Sequence, residues 1–207
     1  MVSAPKAKPA TYQDVLDAPE HLVAEIIAGE LRLSPRPAGP HTAAASRLGF
    51  VLGPPFQFGS GGPGGWQILD EPELHLGSEI VVPDLAGWRF ERLSVISEDD
   101  TFFTIPPDWV CEVLSPSTRV HDRSEKLPIY ATAGVGHVWF VDARHRTLEV
   151  MRLHGGKWLI VDVHRGDVKV RAEPFDAIDI DLAALWANMA PPPHPSRTSE
   201  GAAEYIL

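Results

Sequence analysis

The chain has 207 residues, 44% of them hydrophobic, which is enough for one globular domain with a sizeable core. A formal net charge of −10, with a pI near 5.3, excludes a surface that attracts nucleic acid over its whole extent. The single cysteine, Cys111, excludes an intrachain disulfide and a zinc ribbon, and no run approaches the roughly 18–20 apolar residues of a membrane span.

MVSAPKAKPATYQ carries no apolar stretch of the signal-peptide kind, so a cytoplasmic protein is expected. Residues 1–9 read as a disordered tail, 10–187 as a single domain, and 188–207 as a Pro-rich flexible tail. Thr11 followed by Asp14 predicts a capped short helix in TYQDVLDAP, closed near Pro19. LVAEIIAGELRLSP predicts a hairpin turning at Ala28-Gly29. A helix is expected over 41–52, with Pro40 near its start and Gly53 just past its end, and GPPFQFGSGGPGG then reads as loop.

WQILDEPELHL and SEIVVPDLAGW predict two strands and WVCEVLS a third, with a polar connection of no clear period before the last. A helix follows from about Asp122 to Ala133, with Lys126, Tyr130 and Ala133 on one face and Pro128 removing one backbone bond. HVWFVD, TLEVMRL and KWLIVDV form a meander with turns at ARHR and HGG, and DIDLAALW suits a closing helix. Helix, strands, helix and more strands in that order make a mixed α/β or α+β domain built on one sheet. Charge is unevenly placed: residues 70–112 hold eleven Asp/Glu against two Arg, and residues 144–171 hold seven Lys/Arg against three Asp/Glu. Solvated surface accounts for either run taken alone, although the first could hold a cation and the second could face an anion.

Two acids sit where strands place apolar residues: Glu112 in WVCEVLSPST and Asp84 in IVVPDLAGW. A buried carboxylate costs several kcal/mol unless something meets it. An arginine, backbone N–H groups or an edge position in water would satisfy Glu112 without any function. If the Asp84 strand lies beside that of Glu112, however, the two carboxylates can converge at the strand ends. They could then bind a hard divalent cation, with water and substrate phosphate filling its other positions.

Five segments together resemble the Uma2 family, a branch of the PD-(D/E)xK restriction-endonuclease-like nucleases: EIIAGEL (Glu25 to Leu31), VVPDLAGW (Val81 to Trp88), PDWVCEVLSPST (Pro107 to Thr118), DRSEKLPIYATAGVGHVWFVD (Asp122 to Asp142) and TLEVMRL (Thr147 to Leu153). The resemblance implies a restriction-endonuclease-like core: one mixed β-sheet flanked by helices, with a C-terminal strand meander. It implies an endonuclease that hydrolyses DNA phosphodiesters, with Asp84 and Glu112 holding Mg2+, for which Mn2+ may substitute. The superfamily's lysine stands two residues past the second acid, where this chain has Leu114; the matching position in Uma2-like sequences is Lys126, on the following helix. A surface lysine that packs only its stem is the plain alternative.

Glu25 and Glu71 are further candidates as ligands or water-positioning groups, and His41 as a contact to phosphate; each acid is equally suited to pairing with an arginine. Asp122, four residues before Lys126, suits a helix cap or an ion pair. No HExxH or GxxxxGK[ST] spacing is present, and Ser115 and Ser117 fit a turn better than a nucleophile. DNA is the expected partner, and a homodimer is in keeping with a duplex cut. The rival reading is a non-catalytic interaction or nucleic-acid-binding module that keeps the fold. Glycoside hydrolysis by paired carboxylates is remote, because no sugar-stacking aromatic pattern accompanies the acids.

Overall fold

The computed structural model describes residues 8–37, 39–116 and 118–190. The two expected tails fall almost wholly outside the described residues, as does Ser117. Asp14 accepts hydrogen bonds from the Thr11 N–H and hydroxyl, both 2.7 Å, and opens α1 (Tyr12–Leu16). The hairpin forms as expected from β1 (Leu22–Ile27) and β2 (Glu30–Pro35), with φ of 53° and 78° at Ala28 and Gly29. Two successive positive-φ residues give the tight turn whose twist matches its strands.

The two strands expected next are four. WQILDEPELHL divides into β3 (Trp66–Asp70) and β4 (Leu74–Leu76), and SEIVVPDLAGW into β5 (Glu79–Val81) and β6 (Leu85–Arg89). Each break contains a proline, Pro72 or Pro83, which has no N–H to give a ladder, and Glu71 takes φ 45°. The halves join different sheets. β2-β1-β5-β4 is an antiparallel sheet, whereas β3 and β6 enter a six-stranded mixed sheet with β7 (Trp109–Val113), β8 (His137–Asp142), β9 (Thr147–His154) and β10 (Lys157–Arg165) in the order β10-β9-β8-β7-β6-β3. β7 and β8 run parallel, joined through helix, and the meander β8-β9-β10 is antiparallel.

β7 lies inside this sheet and all five of its residues are buried, so Glu112 is not an edge residue in water. Alternation sends Trp109, Cys111 and Val113 into a core with Trp66, Trp139 and Phe175. On the other face Val110 packs with Val138, Phe140 and Tyr130. Glu112 shares that second face.

α2 (Pro40–Leu52) starts as expected, but Gly53 does not end it. A π turn continues over Gly53–Gln57 and buries Phe56, because Pro54 and Pro55 cannot supply regular helical donors and the ladder widens instead. Gly62 then folds back onto this turn, so closely that a Cβ there would lie 2.5 Å from that of Pro55. The helix after β7 begins earlier than Asp122, with α3 (Arg119–His121), passes through a π turn over Asp122–Lys126 and ends as α4 (Leu127–Ala133). Pro128 stands just beyond that turn and offers no N–H to the Ser124 carbonyl.

The closing helix is absent from the described residues: Ile180–Asp181 forms β12, paired with β11 (Lys169–Val170), and only a single 3-10 turn, Leu182–Ala184, follows. Asp181 ends the strand and caps that turn by accepting from the Ala183 N–H at 3.0 Å.

Candidate active site

The two breaks between sheets lie side by side, with the Glu71 N–H donating to the Asp84 carbonyl at 3.0 Å. Asp84 therefore occupies the crossing from β5 to β6. Its Oδ2 accepts from the Val113 N–H at the end of β7, at 2.6 Å. Since β6 runs antiparallel beside β7 with Leu85 opposite Cys111, Asp84 falls alongside Glu112.

The helix over 119–133 lies on the same sheet face as Glu112 and delivers two side chains to it. Lys126 Nζ stands 2.9 Å from Glu25 Oε1, 3.4 Å from Glu112 Oε1 and 3.8 Å from Asp122 Oδ1, and approaches the Val82 carbonyl at 3.4 Å. The Tyr130 hydroxyl donates to Glu112 Oε1 at 2.5 Å. Glu25, from β1, also accepts from the Val82 N–H at 2.8 Å. One residue from each sheet, one from their crossing and one from the helix thus meet around a pocket of about 60 Å³. Lys126 is buried, with 7% of its side chain exposed, so it is no surface lysine packing only its stem. Leu114, at the superfamily's usual lysine position, is buried among apolar residues.

Burial pushes the Glu112 carboxyl well above the usual range; the Lys126 charge opposes this, while Asp122 and Asp84 add to it. Burial likewise raises Asp122 to about 6 against the pull of Lys126. Lys126 itself loses solvation but is held above its ordinary value by Glu112, Glu25 and Asp122. Tyr130, raised by burial and by Glu112, stays a hydrogen-bond donor. For His41 burial works downward, but the bond to Asp84 and the Asp84 and Asp122 charges outweigh it and the imidazole is raised.

Of the remaining candidates, His41 enters the site from the first turn of α2, with Nε2 3.3 Å from Asp84 Oδ1 and Nδ1 buried without a hydrogen-bond partner among the described residues. Glu71 stands on the rim, half exposed and paired with Arg36 at 3.2 Å. Asp122 forms the expected i,i+4 pair with Lys126, yet is buried and lines the pocket. Tyr130 enters the site from the helical face it shares with Lys126; the four-residue spacing is its signal in the sequence, since two residues four apart on a helix reach the same neighbour.

Among the described residues no three His, Cys, Asp or Glu side chains form a ready-made metal cage. The donor set nonetheless suits Mg2+, which takes one or two carboxylates and completes its shell with water and phosphate. Glu25, Asp84, Glu112 and Asp122 surround Lys126 and His41, an excess of acid that a hard divalent cation would balance. Asp84, at the crossing just before β6, and Glu112, on β7, would offer the oxygen ligands such an ion prefers.

A mixed sheet whose adjacent strands each bring an acid to one pocket, with a helix laid over them, is a nuclease-like architecture of the restriction-endonuclease type. The chain belongs to the Uma2 family, described as "Putative restriction endonuclease", whose model matches residues 9–183. It is also similar to the crystal structure, at 1.96 Å resolution, of "a putative nuclease belonging to DUF820" from Anabaena variabilis ATCC 29413. That likeness has a TM-score of 0.64 at 24% identity and covers 86% of this chain and 98% of the other, which establishes a shared fold. No curated protein matches the chain.

Proposed function

We propose that the protein is a Mg2+-dependent endonuclease that hydrolyses DNA phosphodiester bonds at this pocket. The observation that carries the reading is the buried Lys126 ammonium, 3.4 Å from Glu112 in a pocket that Asp84 also lines, within a frame shared with a nuclease family. Asp84 and Glu112 would hold the ion, which when bound polarises the scissile phosphate and lowers the pKa of water. Asp84 is kept in place by the Val113 N–H, and Glu112 by Tyr130. Lys126, fixed between Glu25 and Glu112, orients the attacking water or steadies the charge that develops on the phosphate. Burial of Glu25, Glu112, Asp122 and Lys126 limits solvent screening of these charges.

A second reading is favoured by Leu114 and by the pairing already present around Lys126: a fold that keeps an ion-pair core and binds nucleic acid or a partner without cleaving. Supercoiled plasmid incubated in Mg2+, in Mn2+ and in EDTA separates the two. Metal-dependent nicking that falls by orders of magnitude in Asp84→Asn and Lys126→Ala is expected. No nicking, or equal nicking by all three proteins, leaves the binding module as the better account. A parallel RNA substrate tests the preference for DNA.

A homodimer belongs to the same proposal, because a duplex cut needs two centres or two visits. β10 is an edge strand of nine residues with Leu159, Ile160 and Val163 exposed, the kind of edge that pairs with another chain. Sedimentation equilibrium should give twice the chain mass, returning to one in Ile160→Lys; a wild-type monomer at micromolar concentration removes this part.

A further inference from the structure

The helix over 119–133 turns three basic side chains toward the sheet, and the sheet answers each with an acid. Lys126 is enclosed by Glu25 and Glu112. Arg123 lies 4.4 Å over the Phe140 ring and pairs with Glu149 through both terminal nitrogens, at 3.0 and 2.8 Å. Arg119 is different. It meets Asp142, but 41% of its side chain stays exposed and only Nη2 has a partner among the described residues. A guanidinium carries five N–H donors in a planar fork; here Nε is buried, Nη2 is engaged, and the two donors of Nη1 have no partner among the described residues.

Asp142 is built as an anchor. Its side chain is 7% exposed, Oδ1 accepts from the His145 N–H at 2.9 Å, and Oδ2 meets both Arg119 and His145 Nδ1, the latter at 2.8 Å. The turn that follows β8 is thereby closed on Arg119. Arg144 projects from that turn, exposed and without a hydrogen bond or ion pair among the described residues.

This surface adjoins the pocket. In the parallel register Glu112 faces Phe140, which places Asp142 two residues further along the next strand and on the same sheet face, a Cα separation of roughly 8 Å by strand geometry. Thr118, one residue before Arg119, lines the pocket itself. The opposite rim carries Asp70 beside Asp84, with Glu71 there already paired to Arg36. A polyanion with one phosphate in the pocket is repelled on that side and meets donors on this one.

We propose that Arg119 and Arg144, braced by Asp142 and His145, bind a backbone phosphate of the nucleic-acid strand adjacent to the one in the pocket. The proposal rests on the reading that the protein acts on nucleic acid, and extends it by naming the side on which the strand runs.

The test is binding of a fluorescently labelled DNA duplex by the full chain carrying Asp84→Asn, in Mg2+, across a series of salt concentrations. Adding Arg144→Ala should weaken binding about tenfold at low salt and reduce the slope of log affinity against log salt by about one, the signature of one lost phosphate contact. Arg119→Ala combined with Asp142→Asn removes the second donor without leaving a buried charge unpaired, and should reduce the slope again. An unchanged affinity and slope in Arg144→Ala, or no DNA binding by the parent protein at low salt, overturns the proposal. Plasmid nicking is scored separately, on the chain with Asp84 intact. A reduced slope without any nicking upholds this site and overturns the endonuclease; nicking with an unchanged slope does the reverse.

Discussion

At the scale of single residues, the buried charges around Lys126 support one another, and removing one exposes the rest. Lys126→Ala leaves Glu25 and Glu112 facing each other without their counter-charge, so besides abolishing cleavage it should cost about 3–5 kcal/mol in urea denaturation. Lys126→Met with Glu112→Gln removes both members of one pair and should recover part of that loss while remaining inactive. A double variant as unstable as the sum of its singles would show that the two groups do not interact. Tyr130→Phe deletes the donor 2.5 Å from Glu112 and should cost about 1–3 kcal/mol, because it leaves a buried carboxyl oxygen short of its hydrogen-bond partner.

At the scale of elements, irregularities aim the site. The π turn over Asp122–Lys126 adds a residue to one helical turn and so sets the angle of Lys126 relative to Tyr130. Pro128→Ala restores the missing N–H. The helix should then relax towards regular geometry, with thermal stability kept or raised and nicking reduced at least tenfold on the scale expected of a displaced catalytic group. Undiminished nicking would show that the turn has no part in placing Lys126. The β1–β2 turn offers a control far from chemistry: Ala28 holds φ 53°, so Ala28→Asn should stabilise by about 0.5–1 kcal/mol, read as a higher urea midpoint with activity unchanged. Pattern alone made this hairpin, α2 and the meander legible, because alternation and turn residues are local. It could not make the division of two apparent strands into four legible, since Pro72 and Pro83 show where a ladder stops but not which sheet receives the continuation. The closing helix failed for a related reason: Ile180 finds a strand partner in β11, a choice made by residues ten positions away.

At the scale of the whole molecule, the site makes stability depend on pH in an unusual direction. Glu112 and Asp122 titrate higher in the folded protein than in an unfolded chain, where Asp122 would return to its ordinary value of 3.8 from about 6. Between those values the folded state holds more protons, so the contribution is fully present below pH 3.8 and is lost as pH rises through about 6. In EDTA the urea midpoint should therefore fall from pH 4 to pH 7, and Asp122→Asn should flatten that fall. A midpoint that rises over this range in EDTA, or a variant that tracks the wild type, would contradict the burial of these acids.

Residue types and their spacing were enough to bring out the candidate chemistry: two acids in apolar surroundings, a lysine on the next helix, and a family resemblance that links them. These are properties of residue type and spacing, which carry over without coordinates. Packing between distant segments puts Asp84 in a crossing between two sheets, gathers Glu25 and Asp122 around Lys126 in one buried cluster, and sets Tyr130 on Glu112. It also leaves the Arg119 Nη1 donors without a partner among the described residues. Each of these depends on partners 14 to 101 positions apart or on the shape of a helix turn, and side-chain pairing of that kind is settled by packing, which has no local trace.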